Sequence, residues 1–121
     1  MTWEEFYDKF YDWSPNTQEK KLGAVNKLGD PEEVTEVIVG LAENDNRTAA
    51  NKLAKRALNS GMKFTVENIW DVLDYIDDYL HEQMALQSLD YYTKKDLEGL
   101  EGCLDDRFIS KLYEKKGILH D

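Results

Sequence analysis

The sequence predicts an all-α protein, and three observations predict it. Apolar residues recur at three- and four-residue spacing through successive segments. Most of these segments open on a residue suited to capping a helix, namely Thr2, Ser14, Asp30, Thr65 or Thr93. No segment alternates apolar and polar residues at period two over a useful length. About eight short helices follow, paired as four helical hairpins over about 2–28, 30–60, 64–88 and 92–117 in one domain of 121 residues.

Each element has its own justification. Thr2-Trp3-Glu4-Glu5 is a capping box, and behind it Trp3, Phe6, Tyr7, Phe10 and Tyr11 follow at helical spacing. Ser14-Pro15 starts a second helix, which carries Leu22, Val25 and Leu28 and is expected to stop at Gly29. Asp30-Pro31-Glu32-Glu33 restarts the pattern, with acids complementing the helix dipole, and Val34, Val37, Ile38 and Leu41 form the stripe. Asn44-Asp45-Asn46 breaks the chain. Ala49, Ala50, Leu53, Ala54 and Leu58 then make a fourth helix that ends at Asn59-Ser60-Gly61.

The second half repeats itself. A shift of 28 residues sets FTVENIWDVLDYIDD over YTKKDLEGLEGCLDD. Thr65 meets Thr93, Asn68 meets Asp96, and Ile69, Val72 and Ile76 meet Leu97, Leu100 and Leu104. Asp77-Asp78 meets Asp105-Asp106, where each copy is expected to turn and cap its second helix. Gly99 and Gly102 read as a close helix approach or a loosely held helix, since glycine inside a helix costs about 1 kcal/mol relative to alanine.

Residues 29–61, GDPEEVTEVIVGLAENDNRTAANKLAKRALNSG, resemble a HEAT-like repeat. The Asp-Pro start, the Val34/Val37/Ile38/Leu41 stripe, a polar turn, Arg47 opening the second helix and Ala49-Ala50 with Leu53 carry the resemblance, over about a quarter of the chain. The copies after residue 64 are shorter and lack the arginine. The resemblance implies a right-handed α-solenoid, with a compact helical bundle as the alternative, whose exposed faces bind other macromolecules. It implies no catalytic residues.

Composition narrows the function. The chain is 41% hydrophobic and 33% charged, with a formal charge of −10. Residues 67–106 hold 12 acids against Lys94 and Lys95, so the whole excess charge lies in that block. Such a field disfavours direct contact with nucleic acid or anionic membrane and favours a basic protein partner. No apolar run is long enough to span a bilayer, and the first residues, MTWEEFYDKF, do not read as a signal peptide. A single cysteine, Cys103, allows no internal disulfide, so a cytoplasmic location is expected.

Candidate sites follow from the same residues. The acidic face is expected to present Asp71, Asp74, Asp78 and Glu82 to a partner. The N-terminal aromatics Trp3, Tyr7 and Trp13 are candidate contacts, weighed against a terminal helix that covers an open end of the stack. A metal site is the alternative reading of Asp74, Asp77, Asp78 and His81, because i,i+4 spacing on an unbroken helix would align Asp74 with Asp78 and Asp77 with His81. The repeat argues against it, since Asp77-Asp78 falls where the chain should turn and His81 aligns with the apolar Ile109. Cys103 reads as a small packed hydrophobe and His120 as part of a frayed end.

No motif of nucleophilic, metal or nucleotide chemistry occurs. The expectation is therefore a small acidic protein-binding module without cofactor or enzymatic activity. Its sharper form is an inhibitor or immunity-type binder of a basic partner. A carboxylate and histidine metalloprotein or hydrolase is one alternative, and a structural unit that oligomerises through its N-terminal aromatics is another.

Overall fold

The computed structural model describes residues 1–120, and among them it is all-helical, with no strand. In order come α1 (Trp3–Lys9), a 3₁₀ turn (Phe10–Asp12), α2 (Pro15–Gly23), α3 (Pro31–Glu43), α4 (Arg47–Asn59), α5 (Val66–Val72) and α6 (Asp78–Ser88). A second 3₁₀ turn (Leu89–Tyr91), α7 (Lys94–Leu100) and α8 (Asp106–Lys116) complete the described helices.

The caps explain most boundaries. Thr2 accepts from the Glu5 amide and Asp30 from the Glu33 amide. Asn46 accepts from the Ala49 amide. Thr65 and Thr93 each form a reciprocal box, with Asn68 and Asp96 returning a bond to the cap amide at 3.0 and 2.8 Å. At Thr2 the box is incomplete, because the Glu5 carboxylate takes the Thr2 hydroxyl instead. Ser14 makes no cap bond; its hydroxyl donates to Thr17. The second helix also stops earlier than expected, at Gly23, and the chain turns through residues 24–30 with Val25 still buried.

The 28-residue shift has a counterpart in the helix boundaries. Every boundary of α7 and α8 lies 28 residues beyond its counterpart in α5 and α6. The two acid pairs differ in use. Asp105 accepts from the Arg107 amide at the start of α8, whereas the Asp77 carboxylate turns to Arg47 and caps nothing. Gly102 lies beyond α7 with φ of 92°, so it serves the turn and not a helix interior.

Packing follows a simple order. Helices α3, α5 and α7 contact one another in succession, as do α2, α4 and α6. Within consecutive pairs, α3 packs on α4, α5 on α6 and α7 on α8. The core between these rows holds Phe6, Val37, Ile38, Leu41, Leu53, Ile69, Met84 and Leu97 with essentially no exposure. Each such side chain stabilises the fold by about 1.5–3 kcal/mol on burial. A seven-residue helix such as α5 or α7 is marginal alone and exists here because its stripe is buried.

Two glycines admit close approach. The Gly99 carbonyl accepts the Trp70 indole N–H at 2.7 Å, and a Cβ at Gly99 would lie 3.2 Å from Val66. At Gly40, inside α3, a Cβ would lie 2.6 Å from the Phe10 ring and 2.5 Å from the Tyr11 hydroxyl. Gly40 thus lets the 3₁₀ turn lie on α3. Gly40→Ala is expected to lower stability by about 1–3 kcal/mol, as overpacking does. Gly23→Ala, where a Cβ meets nothing within 4 Å, is expected to be neutral or stabilising by up to about 1 kcal/mol. Urea unfolding of both variants checks the pair.

A candidate acidic, tyrosine-lined groove

One stripe of α3 is apolar and buried; the stripe beside it is acidic and faces a groove. Glu32, Glu36, Val39 and Glu43 follow at spacings of four, three and four, which is one helical face. Two neighbouring segments add an i,i+4 pair each. Tyr7 and Tyr11 come from α1 and its 3₁₀ turn, and Asp71 and Tyr75 from α5 and the turn after it. Asp30, Glu33 and Thr35 complete a groove of about 630 Å³. Six carboxylates and three tyrosines line it, and no lysine or arginine does.

The groove is organised by neutral donors. The Tyr7 hydroxyl donates to Glu36, joining α1 to α3. The Asn68 amide donates to Glu32 at 3.3 Å, joining α5 to α3. Tyr7 is pushed up to about 12, first because its proton is held by Glu36, then by burial and by the charges of Glu36, Glu33 and Asp30. Carboxylates left without a cation at a shared concave surface create a negative potential that draws cationic groups.

The residues expected from sequence are divided by the fold. Asp71 lines the groove, but Asp74, Asp78 and Glu82 do not. Asp74 is exposed in the turn after α5, where its carbonyl accepts from Arg47 at 3.2 Å. Asp78 is exposed in the first turn of α6, and Glu82 is half-buried one turn later. The four therefore form no single face around the groove, because the chain breaks between Val72 and Asp78 and enters a different helix.

The same break separates the alternative metal quartet. Asp77 pairs with Arg47 at 3.5 Å, and its amide donates to Asn51. His81 is buried, with Nε2–H donating to the Val72 carbonyl at 3.1 Å and Nδ1 4.0 Å from Asp78. Among the described residues no three His, Cys, Asp or Glu side chains gather as a metal would need. His81 fills the position that Ile109 fills in the second copy.

The N-terminal aromatics also part company. Trp3 is a core residue at 8% exposure, with its ring stacked near Phe6. Trp13 is half-buried against Phe6, with the Lys21 ammonium 4.8 Å above its ring. Only Tyr7 of the three expected contacts lines the groove. Cys103 is half-buried, donates to the Leu100 carbonyl, and has its thiol pushed up to about 11 by burial. His120 is held by Glu101 at 2.9 Å and stacks on Tyr113.

No family model matches this chain, and no curated protein or solved structure matches it either. The site therefore stands on its own geometry.

Burial holds His81 below its ordinary value near 6.5, against the opposing pull of the Val72 carbonyl and Asp78. Well above pH 6.5 the imidazole is neutral in both folded and unfolded chains. As pH falls below that, the unfolded chain takes up a proton that the fold resists, so stability is lost towards the lowered folded value. Unfolding midpoints between pH 7.5 and 5 are expected to fall more steeply in the native chain than in His81→Leu. In a separate ultraviolet titration, Tyr7→Phe is expected to remove one tyrosine that ionises near pH 12.

Proposed function

We propose that this chain is a small protein-binding module of the HEAT-like α-solenoid type, which holds a basic segment of another protein in the acidic, tyrosine-lined groove. The observation that carries the reading is the groove's composition, six carboxylates and three tyrosines with no cation. Lysine and arginine side chains complement such a surface twice over, by charge pairing and by stacking on the tyrosine rings. The order of helix contacts, α3 to α5 to α7 and α2 to α4 to α6, supports the solenoid form. So does Arg47, which opens α4 and reaches into the turn of the following pair.

In its sharper form the module is an inhibitor or immunity-type protein that covers a basic cleft. Charge complementarity then sets partner choice and association rate more than residence time.

The test is affinity capture from the cell's own lysate with the tagged chain. Native protein is expected to retain a basic partner that high salt releases. Glu32→Gln, Glu36→Gln and Asp71→Asn together are expected to weaken retention by about tenfold or more. Asp74→Asn, Asp78→Asn and Glu82→Gln together are expected to leave it intact. Equal retention by the first triple variant would falsify the groove as the binding surface.

A further inference from the structure

Four hollows on this molecule share walls. The acidic groove shares Glu32 with a hollow lined by Val66, Glu67, Lys95 and Gly99. It shares Tyr7 and Glu33 with another, between Trp3, Lys27 and Leu28. The Glu67–Lys95 hollow in turn shares Thr65, Val66 and Asp96 with a cleft of about 380 Å³ walled by Phe64, Tyr91 and Tyr92. Hollows with shared lining residues thus follow one another in series from α1 past α3 and α5 to the start of α7.

The chemistry changes along it. At the α1 end, Glu4 and Asp8 add to the groove carboxylates, with Lys27 the cation among them. In the middle, Lys95 is the cation beside Glu32, Glu67 and Asp96. At the α7 end Val66 and the 70% exposed Tyr91 supply the apolar surface over a floor of the buried Phe64 and Tyr92. Lys63 is the cation there, with its ammonium 5.6 Å from the Tyr91 ring and donating to the Gln87 carbonyl.

Length narrows the occupant. Packed helices lie about 8–10 Å apart, so a furrow over four of them runs roughly 24–30 Å. An extended chain rises about 3.3 Å per residue and needs about eight or nine residues to follow it. A single cationic side chain would fill one part and leave the aromatic cleft open to water. A purely basic segment would complement the α1 end but gain little at the α7 end.

We infer that the furrow takes an extended segment of a partner protein, with lysine or arginine over the acidic groove and an apolar or aromatic residue in the Phe64–Tyr91–Tyr92 cleft. This rests on the groove reading above and adds to it a length, a direction and a second anchor. The division of labour is physical. The carboxylates attract and orient the segment but are screened by salt in so open a groove. The aromatic cleft supplies contact that salt does not weaken.

The probe is a phage library of random linear peptides, selected on the full chain, with the selected peptides then labelled and titrated by fluorescence anisotropy. The expected sequences carry clustered lysine or arginine and an apolar or aromatic residue several positions to one side. Tyr91→Ala, at an exposed position, is expected to weaken the labelled peptide by about tenfold at both low and high salt, with melting temperature unchanged. Val66→Ser, on the shared wall, is expected to act in the same direction. The triple variant Glu32→Gln, Glu36→Gln and Asp71→Asn is expected to weaken it chiefly at low salt. Basic peptides without an apolar residue, indifference to Tyr91→Ala, or no selected peptide at all would overturn the extended-segment inference and leave the acidic groove standing. Indifference to the triple variant would overturn both.

Discussion

The structure depends on side chains that reach from one helix pair to satisfy the backbone of the next. Short helices leave four amides and four carbonyls unpaired at their ends, and α5 and α7 are only seven residues long. Arg56 answers this for the end of α2, donating to the Leu22 and Val25 carbonyls at 2.6 Å each. Arg47 does so for the turn before α6, donating to the carbonyls of Asp74 and Ile76. Lys63 bonds the Gln87 carbonyl near the end of α6, and Lys116 bonds Leu89 and Asp90. Charge-assisted bonds of this kind contribute about 1.5–3 kcal/mol each.

This stitching also explains why cations are scarce in the groove. The α4 cations are committed elsewhere: Arg47 and Arg56 to turn carbonyls, Lys52 to Glu19, and Lys55 over the Tyr79 ring. Helix α3, which α4 packs against, turns Glu32, Glu36 and Glu43 the other way. The fold thus separates charge by layer. The chain's net charge of −10 is therefore spread over the folded surface differently from its spread along the sequence.

A second consequence concerns Phe64 and its counterpart Tyr92, the residues that begin the two repeat copies. The Phe64 amide donates to Ser88, and its carbonyl accepts from the Tyr92 hydroxyl at 2.6 Å. The buried Tyr92 phenol is pushed up to about 12 by burial first of all. Equivalent positions of successive copies are therefore bonded to each other across the α7 end of the furrow, which holds the cleft walls in place.

The helices were legible in the chain alone, because their determinants are local. Capping residues at Thr2, Asp30, Thr65 and Thr93, and the apolar stripe of α3, act within one or two turns. The 28-residue shift rests on local signals too, and the bounds of α5 and α6 recur 28 residues on in α7 and α8. Locality failed where a distant partner intervened. Asp77 left its expected cap because Arg47 reaches it from thirty residues away in sequence. The groove was illegible for a related reason. Its stripe Glu32, Glu36 and Glu43 could be read as the wet side of a helix, but nothing local sets Tyr7 or Asp71 across from it. Contiguity in sequence pointed to residues 67–106, whereas a binding surface is assembled by helix packing, and only the tertiary structure decides which acids share a face.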